Sequence, residues 1–161
     1  MARVHLALGS NLGDRQAALD EAVRRVGALP ETKVVARSKV HETPALLPRE
    51  DATPQPDYLN AVVLVETGLT PRALLAAVKG IEKDMGRVGA PRWAPRVIDV
   101  DLVLWGEEVV DEADLVIPHP RMHERRFVLA PLAELSPDAR HPRLGRTVRE
   151  LWNALSASHR G

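Results

Sequence analysis

Cysteine is absent from the chain, which excludes a disulfide framework, a thiolate metal site and a cysteine nucleophile together. Aromatic residues are scarce: one Tyr, one Phe and three Trp, so the core must be built mainly from Leu, Val, Ile and Ala. Charge of one sign is lacking too. Lys+Arg and Asp+Glu both total 22, whereas a general nucleic-acid binder carries a basic surplus. No apolar run approaches the length of a membrane span, and the opening MARVHLALGSNLGD has no signal-peptide apolar region. A cytoplasmic protein with no nucleic-acid or membrane partner is the expectation. No surface apolar stripe calls for a second subunit, so a monomer is expected. What is present, 161 residues with 45% hydrophobic and 27% charged side chains, suits one globular domain over 1–161.

Periodicity divides the chain into short elements. Residues 3–8 (RVHLAL) read as a strand running into the turn GSNLGD, and from Asp14 the apolar set Ala18, Leu19, Ala22, Val23 and Val26 marks a helix. Residues 33–41 return to strand composition. The stretch 44–56 holds four prolines and no periodicity, and reads as a long loop. DYLNAVVLVET follows as a strand. Thr70 and Pro71 then form a helix start, N-cap and N1, continued by Leu74, Leu75, Val78, Ile81 and Glu82 as far as Gly86. Residues 86–96 make a second loop and 97–105 another strand. A short helix at 127–135 and a last helix begun by Thr147 with Glu150 in capping-box spacing complete the chain. The order β-α-β-β-α-β with C-terminal helices predicts an α+β fold of the ferredoxin-like split βαβ type, an antiparallel sheet with helices on one face.

The strand at 97–105 carries two aspartates, Asp99 and Asp101, in an otherwise aliphatic run. Alternation puts Val97, Asp99, Asp101 and Val103 on one face and Ile98, Val100, Leu102 and Leu104 on the other, the core side. The two acids stand about 6.6 Å apart at Cα and point the same way. Such a pair can bridge two cations at the roughly 3.5–4 Å of two-metal phosphoryl-transfer sites, and hard oxygen ligands suit Mg²⁺ shared with phosphates. The alternative is a solvated strand face paired with arginines. Two facts weigh against it: like charges this close repel unless compensated, and strands disfavour Asp. Arg87, Arg92 and Arg96 precede the pair and would meet an anion held there.

Further candidates surround this pair. PHPRMHERRF (118–127) offers His119, Arg121, His123, Arg125 and Arg126; Arg grips phosphate oxygens as a planar fork, and Arg121 and Arg125 share a face if the segment is helical. An exposed basic turn is the alternative. His119 and His123 find no third zinc ligand at a usual spacing. GSNLGD lacks the P-loop lysine and spacing and reads as a turn. Tyr58, Trp93 and Phe127 lie beside loops, where flat rings could hold a heterocycle with Asn60 reading its edge; filling the core is the other reading for Tyr58 and Phe127.

RWAPRVIDVDLV, with PDYLNAVV before it, PHPRMHERRFVLAPL after it, LALGSNLGDR at the start and ETPAL at 42–46, closely resembles the 6-hydroxymethyl-7,8-dihydropterin pyrophosphokinases of folate biosynthesis over nearly the whole chain. The resemblance implies transfer of pyrophosphate from ATP, as co-substrate, to the pterin hydroxymethyl oxygen, with release of AMP. It implies that Asp99 and Asp101 hold two Mg²⁺ ions and that Arg87 and Arg96 neutralise phosphates from mobile loops. Tyr58 and Phe127 would stack the pterin, Asn60 would bond its edge, and Thr43, Pro44 and Leu46 would complete that pocket. Trp93 would belong to a closing loop, His119 and Arg125 would contact ATP phosphates, Ile98 would line the adenine site, and Glu82 would lie near the nucleotide. Two departures stand out: Asp114 replaces a basic residue that contacts ATP in some relatives, and Arg126 stands where a small residue is expected. A non-catalytic ferredoxin-like module binding a small ligand, and another metal-dependent nucleotide enzyme on a related fold, are the rival readings.

Overall fold

Asp14 and Thr70 each stop an extended segment and start a helix, because their side-chain oxygens accept the backbone N–H three residues on, from Ala17 at 3.0 Å and from Ala73 at 3.2 Å. The computed structural model describes residues 1–44, 56–87 and 97–158. In chain order the elements are β1 (Ala2–Ser10), α1 (Arg15–Gly27), β2 (Thr32–Arg37), β3 (His41–Thr43), β4 (Tyr58–Thr67), α2 (Pro71–Glu82), β5 (Asp99–Trp105), β6 (Val110–Glu112), β7 (Leu115–Ile117), α3 (Arg126–Leu135), β8 (Arg140–His141), β9 (Arg146–Thr147) and α4 (Val148–Ser158). A π turn, Lys83–Arg87, extends α2 until Gly86 takes φ 107°, a backbone angle that glycine alone adopts freely. Among the described residues no helix is long and apolar enough to cross a membrane.

The five-stranded sheet runs β2-β4-β1-β5, with β3 also on β4, and every pairing is antiparallel. With α1 between β1 and β2, and α2 between β4 and β5, this is the expected ferredoxin-like arrangement. The expected strand at 33–41 divides in two at Ser38. Its hydroxyl accepts from Val62 N at 2.9 Å while its own N–H donates to Val62 O at 2.9 Å. One residue thus makes both bonds of a rung and displaces the chain beyond it.

Helices cover both faces, which corrects the expectation of one. α1 and α2 pack Leu19, Val26, Leu74 and Val78 onto Val4, Leu6, Leu8, Val63, Val65, Ile98, Val100 and Leu102. On the other face, α3 and α4 bring Val128, Leu129, Leu132, Val148 and Leu151 to Val62, Val103 and Leu104. Apolar residues on that face demand cover, and the C-terminal helices provide it. Trp105 sits in the first core, so the aromatics are not all beside loops.

A bulge in β5 explains how one strand serves two cores. Leu6 pairs with Leu102 and His5 with Leu104, leaving Val103 as the extra residue. Beyond it the alternation reverses: Leu104 joins the second core and Trp105 the first. Leu104 therefore does not share a face with Leu102, as strict alternation had it.

Two small hairpins complete the fold. The β6–β7 hairpin is tied to α2 by Arg72, whose guanidinium holds Asp114 at 2.7 Å and Glu112 through Nε at 2.7 Å. Asp114 is thus a surface partner of Arg72. Arg126 also finds a local use: its guanidinium lies 5.1 Å from the Trp152 ring centroid, joining α3 to α4.

Candidate active site

At the end of the sheet away from the second core, one row of residues crosses three strands on one face. Gly9 of β1 pairs with Asn60 of β4 on one side and with Asp99 of β5 on the other. The next row sets Ala7 between Val62 and Asp101. Asn60 and Asp99 are therefore two strand spacings apart, about 10 Å between Cα atoms, with bare backbone between them. A Cβ added to Gly9 would lie 3.3 Å from Asn60 Oδ1 and 3.3 Å from Tyr58 Cδ1. The floor is glycine because the amide and the ring already close over it. Gly9 is a site residue that the sequence reading passed over. Its signal was a glycine inside a strand, in LALGS.

Asn60 is 4% exposed and its Nδ2 is taken up by the protein. It donates to Thr43 Oγ1 at 2.7 Å and to the His41 carbonyl at 3.2 Å. Both acceptors belong to β3, so the amide is oriented with Oδ1 over Gly9. Thr43 stands opposite Tyr58 in the register. The structure thus brings Thr43, Tyr58 and Asn60 together, and Pro44 follows Thr43 at the surface. Phe127 opens α3 at the margin of the second core, where Ala7 also packs, and the Arg125 guanidinium lies 5.6 Å from its ring centroid.

Asp99 and Asp101 are half-buried on β5, whose outer edge is braced from two sides. Glu82, 2% exposed at the end of α2, accepts from Val100 N at 2.8 Å and pairs with Lys79 Nζ at 3.1 Å. The backbone N–H of His119 donates to Val103 O at 2.9 Å, laying that residue along the same edge. Burial lowers the His119 pKa; Asp101 opposes this, and Arg125, Arg121 and Lys79 reinforce it. The imidazole is neutral at pH 7. Its Nδ1 accepts Arg121 N at 3.2 Å, so Nε2 carries the proton. Asp101 and three cationic side chains thus act electrostatically on the His119 imidazole.

Residues 5–137 match the family model described as 7,8-dihydro-6-hydroxymethylpterin-pyrophosphokinase (HPPK). The 2-amino-4-hydroxy-6-hydroxymethyldihydropteridine pyrophosphokinase of Methylorubrum extorquens is 46% identical over 158 residues, 98% of this chain and 96% of its own. The protein of the same name from Pseudomonas aeruginosa is 42% identical over 152 residues, 94% and 91% of the two chains. The chain belongs to the HPPK family. Its reaction is pyrophosphoryl transfer to hydroxymethyldihydropterin, in folate biosynthesis, and nothing in these likenesses favours a non-catalytic binding module.

Solved structures agree on the fold. A crystal structure of HPPK-DHPS in complex with substrates superposes with a TM-score of 0.76 at 15% identity, over 98% of this chain and 44% of the other. Wild-type HPPK-DHPS of Plasmodium falciparum with SDX-DHP gives a TM-score of 0.75 at 15% identity, over 97% and 44%. The chain spans less than half the length of these solved chains.

For an HPPK, the expected site residues fall in different surroundings. Ile98 is fully buried in the first core, on the face opposite the aspartates. Glu82 holds Val100 and Lys79, and so bears on the site through β5. Arg121 and Arg125 do not share a helical face. Only a 3₁₀ turn, Met122–Glu124, lies between them, and Arg125 is extended at φ -112° as the N-cap of α3. Leu46, Arg92, Trp93 and Arg96, and the side chain of Arg87, lie outside the described residues. The two ends of the arginine segment meet, however: a Cβ on Gly86 would be 3.7 Å from Val97 Cγ2. Among the described residues no group of three or more His, Cys, Asp or Glu is placed to hold a metal.

Proposed function

We propose that the chain works as a single-domain monomer that takes the pyrophosphoryl group from ATP and releases AMP, with Asp99 and Asp101 holding two Mg²⁺ ions. The donor set fits this metal. Two hard carboxylates on one strand face, without a third protein ligand among the described residues, suit an ion that keeps waters and shares substrate phosphates. Bound there, Mg²⁺ would supply charge neutralisation to the polyphosphate.

The chain's own residues do the rest by positioning. Tyr58 and Phe127 bracket the pterin ring, and Gly9 leaves room for the Tyr58 ring and the Asn60 amide to take their places beside it. Asn60 Oδ1, fixed by Thr43 and His41, accepts from the donor edge of the heterocycle. With the ring seated at β4, its hydroxymethyl oxygen is directed along the row toward β5, where the acids gather the phosphates. That oxygen attacks the β-phosphorus, the bond from this phosphorus to the α-bridging oxygen breaks, AMP leaves with that oxygen, and the hydroxymethyl proton passes to solvent. His119 donates Nε2–H to a phosphate oxygen as a neutral group, and Arg125 supplies positive charge beside it. Arg87 and Arg96 complete the neutralisation as Trp93 and its loop exclude water, and Pro44 and Leu46 close the ring pocket.

The observation that carries this reading is the single row Asn60–Gly9–Asp99, which sets a heterocycle reader and a phosphate-metal anchor one ligand length apart. Incubation with ATP, Mg²⁺ and 6-hydroxymethyl-7,8-dihydropterin, followed by nucleotide separation, tests it: pterin-dependent AMP without ADP is expected. Asp101→Ala should slow turnover at least ~100-fold, the scale of losing a major charge-stabilising group. Near wild-type turnover in that variant refutes the metal assignment.

A further inference from the structure

β3 has three residues, the fewest in the five-stranded sheet, and its ladder partner is β4 alone. Yet this strand aims Asn60, because Thr43 Oγ1 and the His41 carbonyl take its amide donors. A strand so short has little of its own to hold it in place. A second tie comes from the far side of the sheet. Arg15, the first residue of α1, donates through Nη1 to Glu42 Oε2 at 2.7 Å and to the Asp57 carbonyl at 2.7 Å. Glu42 lies between His41 and Thr43; Asp57 immediately precedes Tyr58.

One guanidinium thus joins the middle of β3 to the start of β4, the two segments that frame the ring pocket. Asn11 adds a neighbouring tie, donating from Nδ2 to the Pro56 carbonyl at 3.2 Å. Glu42 is opposite Leu59 in the register, and Leu59 packs against the first core. Arg15 and Glu42 therefore sit on the side of the sheet that α1 and α2 cover, across the backbone from Asn60 and Tyr58. Among the described residues, Arg15 reaches the pocket through the strands it fastens. Both its bonds are charge-assisted, with 29% of the Arg15 side chain and 51% of the Glu42 side chain accessible.

We propose that Arg15 is a positioning residue for the pterin: its bridge between Glu42 and Asp57 holds β3 against β4 and so keeps Asn60 and Tyr58 set for the ring. The inference rests on the reading of Asn60 and Tyr58 as the pterin pocket. It separates the two substrates, since β5, His119 and Arg125 owe nothing to this bridge.

The test is titration of the full-length protein with 6-hydroxymethyl-7,8-dihydropterin by fluorescence, alongside KM for ATP and thermal unfolding. Arg15→Met keeps the stem and removes the donors; it should weaken pterin binding roughly ten-fold, the worth of a charge-assisted hydrogen bond, with KM for ATP within about two-fold. Arg15→Lys should recover part of the loss. Glu42→Gln, which keeps an acceptor and the strand, should lie between wild type and Arg15→Met, and supplies the measurement if Arg15→Met fails to fold. Unchanged pterin affinity in Arg15→Met or in Glu42→Gln, with Asn60→Ala losing it, overturns the inference and leaves the pocket standing. Equal loss of affinity for both substrates together with a lowered Tm makes Arg15 merely structural and also overturns it. Unchanged pterin affinity in Asn60→Ala overturns the pocket and this inference with it.

Discussion

Replacing Glu82 with alanine should cost about 3 kcal/mol of stability, and the loss can be followed from a single bond. Val100 is fully buried in β5 and its N–H points away from β1, to the open edge of the sheet, where Glu82 Oε2 accepts it at 2.8 Å. Alanine strands that N–H. An unpaired buried amide costs ~1–3 kcal/mol, and loss of the packed side-chain stem adds about 1 kcal/mol. The Lys79 pair adds little, because the lysine side chain is 46% exposed. A loss of about 3 kcal/mol lowers Tm by roughly 6–12 °C in a chain of this size. Glutamine keeps an acceptor for Val100 and should cost no more than ~1 kcal/mol. Urea unfolding gives the global figure, and hydrogen exchange at the Val100 amide gives the local one. An alanine variant within about 0.5 kcal/mol of wild type, with the Val100 amide still protected, would refute the reasoning.

Three more expectations are as direct. Burial, with Arg3 adding to it, holds the His5 imidazole down to about 4 from 6.5, so the unfolded chain binds the extra proton between those values. Stability therefore falls as pH drops through that window, by up to about 3 kcal/mol, and denaturant midpoints for His5→Gln should show a flatter slope there; an unaltered slope defeats the assignment. Gly9→Ala puts a methyl 3.3 Å from Asn60 Oδ1 and Tyr58 Cδ1 and should raise KM for the pterin roughly ten-fold, leaving ATP unaffected; unchanged kinetics would mean that the floor is not used. Arg126→Ala should lose about 0.5–1 kcal/mol from the contact with Trp152 and leave KM for ATP as it was. A large rise in that KM would return Arg126 to the nucleotide.

Much of this was legible along the chain because it is local. Asp14 and Thr70 announce their helices, Thr147 and Glu150 form the expected reciprocal cap at 2.9 and 3.2 Å, and two-residue alternation alone puts Asp99 and Asp101 on one face. What escaped depends on pairing between distant segments. Gly9 is an ordinary strand glycine until the register sets it between Asn60 and Asp99. The bond from Val100 to Glu82 likewise appears only once β5 is laid beside α2, whereas the burial of Ile98 was already written in the alternation. The reversal at Val103 is a property of two strands together, invisible in either. The bond from Arg15 to Glu42 spans two elements and a sheet.

The bulge also sets the kinds of inherited change this chain can survive. In β5 the spacing between Asp99 and Asp101 is a phase relation, since one alternation must deliver both acids to the same face. Exchanging one aliphatic residue for another there leaves the phase intact. Removing Val103 would keep it too, since Leu102 and Leu104 would still face Leu6 and His5, at the cost of one side chain from the second core; removing Val100 would not, because Asp99 and Asp101 would then fall on opposite faces. The segment from 99 to 102 should accordingly vary in residue type among descendants of this chain while its length stays fixed, and a one-residue shortening at the bulge is the change in length that leaves both faces as they are.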